Sequence, residues 1–131
     1  MSDPDLIDAS RDPIVMVAAL PAGAVDRVSR YHAALEWLIA RGTPFVMITR
    51  ADDTGGHESR EDQTTRTIWF KAHVAALARV CRGFVYIEPD PAKRILWENR
   101  AKAMAMAFPV PMAIAADEPQ AIALAEEFIA L

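Results

Sequence analysis

The residues best suited to chemistry in this 131-residue chain are gathered in one polar stretch. It reads Ala51-Asp-Asp-Thr-Gly-Gly-His-Glu-Ser-Arg-Glu-Asp62. Asp52, Asp53, His57 and Glu58 carry the carboxylates and imidazole that divalent cations favour. Their spacing matches neither a calcium-binding loop nor a zinc motif, and a solvated turn explains Asp, Gly and Ser with less. No metal is therefore expected. Thr54 and Ser59 are hydroxyls near a helix start, where a phosphate gains from free backbone N–H groups and the helix dipole. Ser59 also reads as a helix N-cap, with Asp62 completing a box-like start. Arg94 and Lys93, in the first turn of a later helix, are placed to reach an anion near the strand ends.

Other chemistry is argued down by spacing. The first turn holds a single glycine in Pro21-Ala-Gly-Ala24, so neither a dinucleotide fingerprint nor a P-loop is present, and no cofactor is expected. There is no nucleophile elbow. His73 has no His or carboxylate at i+4 and reads as a boundary residue. His32 has Glu36 at that spacing and reads as half of a helix-surface pair. Cys81 falls on a buried stripe at a helix C-terminus, the wrong end of the dipole for a reactive thiolate.

Four short apolar runs must position these residues: Ile14–Leu20, Phe45–Arg50, Phe84–Glu88 and Met112–Ala116. Each is nearly continuous, as expected of strands covered on both faces. Helical patterns alternate with them, over about 24–41, 61–82, from Asp90-Pro91 to before Phe108, and from Asp117 onward. Gly42 and Gly83 read as caps of the first two helices. Asp90 and Asp117 read as N-caps of the last two. The order predicts an α/β domain at 13–131 with a mainly parallel sheet of four or five strands and four helices. Residues 1–12 read as a tail or an edge strand within Asp5–Ser10.

The totals bound the function. Hydrophobic residues make up 53% and charged residues 24%, ordinary globular usage. A net charge of −4 offers no general field for nucleic acid or anionic lipid. The first residues are acidic, unlike a secretory signal, and no run is long enough to span a membrane. One cysteine fits a reducing cytoplasm. On a helical wheel Trp37 falls opposite Val28 and Leu35, away from the core, which makes it either a candidate anchor for a protein partner or a second copy of the chain, or a ring folded over neighbouring side chains.

Three segments, Cys81–Pro89, Asp90–Arg94 and Phe108–Met112, give the chain from about Pro13 onward a resemblance to the SpoIIAA-like superfamily, which includes the STAS domains. It most resembles a group of bacterial STAS-like proteins. The resemblance implies a SpoIIAA-like α/β fold and a non-enzymatic, cytoplasmic partner-binding or regulatory role. In the anti-sigma antagonists of that superfamily a phosphorylatable Ser or Thr follows a central strand. The nearest match here is Asp53-Thr54-Gly55, which makes Thr54 the phosphorylation candidate, although the loop runs on where the family has an apolar segment. The expected binding surface is Asp52, Asp53, Thr54, His57 and Glu58 with Arg94, presented to a protein partner. The alternative is a small-molecule binder or small enzyme using the cleft at the strand carboxyl ends. There the Met104, Met106, Phe108 and Met112 group would suit an apolar ligand.

Overall fold

The computed structural model of the chain describes residues 6–18, 26–50, 60–105 and 109–130. Five strands, β1 (Ile7–Arg11), β2 (Ile14–Val17), β3 (Phe45–Arg50), β4 (Cys81–Ile87) and β5 (Met112–Ala115), alternate with four helices, α1 (Arg27–Arg41), α2 (Arg60–Val80), α3 (Pro91–Ala105) and α4 (Glu118–Ala130). The strands lie in the order β1-β2-β3-β4-β5. β1 pairs antiparallel with β2, and every later pairing is parallel. The fold is therefore α/β with a mostly parallel sheet. The short N-terminal run is an edge strand, its exposed Asp8 and Arg11 discouraging further pairing.

Side-chain alternation divides the sheet into two apolar faces. Val15, Val17, Phe45, Met47, Cys81 and Phe84 join Ala34, Leu35 and Leu38 of α1 and Leu77 of α2 in one cluster. Ile14, Val46, Ile48, Val85, Ile87 and Ala115 join Ala121 and Ala125 of α4 in the other. When neighbouring parallel strands are joined in sequence by crossovers of one hand, all the connecting helices fall on the same side. That is why α1, α2 and α3 share a face, with Trp97 of α3 stacked on Tyr86 at 5.7 Å. α4 follows β5 and, among the described helices, is the one that covers the opposite face.

The helix ends show how local chemistry sets boundaries. α1 stops at Gly42 in the left-handed region, φ 69°, whose N–H bonds to the Ile39 carbonyl at 3.1 Å. Gly83 is different. The expected cap lies inside β4, because α2 ends at Val80 and the strand begins at once. A Cβ on Gly83 would overlap the Phe128 ring, 2.8 Å from Cγ and 3.0 Å from Cε2. Glycine is there to let α4 approach the sheet. Cys81 likewise belongs to the strand, and burial pushes its thiol up to about 12.

Candidate functional site

Parallel strands end on one rim, here at Val17, Arg50, Ile87 and Ala115. The stretch expected to dominate it, with Asp52, Asp53, Thr54, His57, Glu58 and Ser59, lies outside the described residues, as do Met106 and Phe108. Described rim groups are tied into the fold. Arg94 donates from one nitrogen to the carbonyls of Glu88 (3.1 Å) and Pro89 (2.9 Å), bracing the β4–α3 turn. Glu88, only 3% exposed, accepts from the Asp90 N–H at 3.3 Å. Asp90 caps α3 by accepting from Ala92 N–H at 2.9 Å. Asp117 accepts from Gln120 N–H at 2.9 Å while the Gln120 side chain accepts from Ala116 N–H at 2.7 Å, a reciprocal box at the start of α4. Carboxylates of the chain itself thus fill both helix N-termini. Thr49, 9% exposed, has a hydroxyl with no hydrogen-bond partner among the described residues.

α2 is longer than the sheet beneath it. Its 21 residues span about 31 Å, against about 20 Å for the six residues of β3. Its buried residues, Leu77 and Val80, lie in its last turn. The N-terminal half therefore stands out past the rim, with Thr64 and Thr67 turning their hydroxyls back to the Arg60 and Gln63 carbonyls at 3.0 and 2.9 Å. That leaves their methyl groups outward.

On a helical wheel Trp69 and His73 point to α1, so the opposite flank of α2 points to α3, the next helix on that face. This flank carries Arg60, Gln63, Thr64 and Thr67, with Ile68 at its crest, and these five line an open recess of about 280 Å³. The facing flank of α3 carries Lys93, Leu96 and Arg100. Ile68 is 65% exposed, Leu96 50%, and Ile95 on the crest of α3 61%. Arg60, Lys71, Lys93 and Arg100 border this apolar strip, and Glu61, two turns before Ile68, shares the crest of α2.

The seam between α1 and α2 holds a second cluster. The Trp69 indole lies between two imidazoles, with His32 at 4.6 Å and 7° on one side and His73 at 4.2 Å and 13° on the other. Trp69 Nε1–H donates to Glu36 Oε1 at 2.9 Å, and the same oxygen is 3.5 Å from His73 Nε2. His73 Nδ1 is 2.8 Å from the Trp69 carbonyl, so Nδ1 carries the proton and donates it. The Arg66 guanidinium lies 5.6 Å from the Tyr31 ring centre beside this stack. Among the described residues no three His, Cys, Asp or Glu side chains converge to hold a metal.

No family model, curated protein or solved structure matches this chain. No described helix is long and apolar enough to cross a membrane.

Three residues sit elsewhere than their spacing implied. Glu36 serves Trp69 and His73 on the neighbouring helix, so the carboxylate that His73 lacks on its own helix arrives from α1. His32 stacks on Trp69. Trp37, expected away from the core, is half-buried and packs against the α1–α2 cluster, with the Arg41 guanidinium 5.2 Å from its ring centre. A large flat ring leans over its own helix where a wheel drawn from Cβ positions cannot show it.

Proposed function

We propose that the chain is a non-enzymatic, cytoplasmic protein-interaction module of STAS-like architecture, and that it takes an acidic, apolar segment of a partner protein along the groove between α2 and α3. One observation carries this reading. A chain of net charge −4 exposes Ile68 on α2 and Leu96 on α3, on the flanks that a helical wheel turns toward one another, and sets four cations near them. Exposed apolar residues rimmed by charge mark docking sites, and complementary charge sets the partner's sign. The projecting half of α2 supports it further. Thr64, Thr65, Thr67 and Ile68 are weak helix formers, and a helix there gains most from a second surface to pack on.

The test is selection from a phage-displayed random peptide library on the folded protein. Enriched peptides should combine Asp or Glu with bulky apolar residues and should shift the NMR signals of Ile68 and Leu96. The paired changes Ile68→Asp and Leu96→Asp should weaken the best peptide by at least about tenfold, since truncating central anchors commonly costs over 1 kcal/mol each. Enrichment of neutral or basic sequences, or a footprint on another face, would rule the groove out. Vesicles of anionic lipid and the protein's own concentration dependence are the comparison arms. Binding in either of those alone would reassign the surface.

A further inference from the structure

We propose that His32, Trp69, His73 and Glu36 form an acid-sensitive clasp, which fixes the N-terminal half of α2 to α1 while His32 is neutral and releases it once His32 takes up a proton. The geometry supplies the argument. His32 is 8% exposed and lies nearly parallel to the indole, a flat neutral ring filling the seam. Charging it places a cation in a poorly hydrated gap.

The surrounding groups decide whether that cation is compensated. From α1, Glu36 already accepts from Trp69 Nε1–H, with His73 Nε2 3.5 Å from the same oxygen, and Tyr31 is a neutral phenol whose ionisation burial opposes. From α2, Arg66 and His73 add positive charge, while Asp62 lies farther toward the helix start on the same flank. The indole face that His32 covers attracts a cation, a modest gain against the hydration lost in the seam, and the Glu36 carboxylate is already taken by the Trp69 N–H. Desolvation first, then Arg66 and His73, lower the proton affinity of His32, and Glu36 offsets them only in part.

The seam sits where α2 leaves the sheet. Beyond Trp69 toward the N-terminus the helix has no buried residue. The clasp, with Arg66 over the Tyr31 ring beside it, ties this half of α2 to α1. A base that binds protons less well in the closed seam than in the open one favours opening as pH falls. The hold is complete above the ordinary imidazole value of 6.5, weakens as pH drops below it, and stops weakening once the clasped ring is itself charged. This inference stands whether or not the α2–α3 groove binds a partner.

Hydrogen exchange of residues 60–68, corrected for intrinsic rates, tests it in a His57→Gln background between pH 7.5 and 5.5. Protection should fall by up to about tenfold per pH unit below 6.5, the limit for one linked proton. His32→Phe, which keeps a flat ring and removes the titration, should flatten the profile, whereas His73→Gln should leave a pH slope. Protection independent of pH, or an unchanged slope in His32→Phe, would overturn the clasp. The unsubstituted protein gives a separate check. An NMR titration in which the His32 ring charges at or above 6.5 refutes the proposal, and one below it supports the proposal.

Discussion

Replacing Phe45 with alanine should lower the unfolding free energy by about 3–5 kcal/mol, measured by urea denaturation. Among the described residues Phe45 is the largest side chain with no solvent exposure, and it opens β3, the central strand. It sits in the cluster where α1, α2 and the sheet meet, against the start of β4 through its register with Cys81. The ladder shifts register just beyond it, between Phe45 and Val46, where β4 carries Arg82 as an extra residue. Nothing nearby can flow into the space left by truncation, because both strand neighbours and two helices are anchored elsewhere. A domain of this size holds roughly 5–15 kcal/mol in total, so one change would use about a fifth or more of it. A loss below 1 kcal/mol would show that the seat collapses and that this side of the core is not close-packed.

The second large effect concerns Gly83. Gly83→Ala should destabilise the protein by about 1–3 kcal/mol, even though alanine is the better residue for an ordinary strand. The new methyl would occupy the space of the Phe128 ring, so α4 must lift or the ring must swing outward. The cause is separable by a double-mutant cycle. In a Phe128→Ala background the same glycine change should cost little, because the obstacle is gone. Equal cost in both backgrounds would place the requirement in the strand backbone, not in the approach of α4.

Much of this architecture can be read from local sequence. Phe45–Arg50 is a β-rich apolar run between Pro44 and a polar stretch, and its strand matches that range residue for residue. Asp90-Pro91 and Asp117 announce their helices through side chains that reach only two or three residues ahead. Gly42 and Gly83 show where such reading stops. Both follow an arginine at the end of an apolar helical stripe, and locally they are the same signal. What separates them is Phe128, forty-five positions later, and no window on the chain contains both.

The His–Trp–His stack is hidden for a similar reason. His32 with Glu36, and Trp69 with His73, are each visible as i,i+4 pairs. The value of each pair depends on how α1 and α2 are set against one another, which is decided by Leu38, Phe45 and Leu77 beneath them. The groove left a clearer trace. A helical pattern over 61–82 outruns any six-residue strand, and its threonines sit where packing would ask for Leu or Ala. That mismatch is a readable sign that the N-terminal half of α2 packs little on the sheet.

The division of labour between the two faces of the sheet also has a temporal side. On the ribosome, β2 to β4 can be sheathed on one face by α1 and α2 as each emerges. Among the described residues, the other face, with Val46, Ile48 and Val85, is covered by Glu118–Ala130 alone. Until those residues leave the exit tunnel the nascent chain carries a bare apolar plane, and chaperones that recognise such surfaces would have their longest opportunity there.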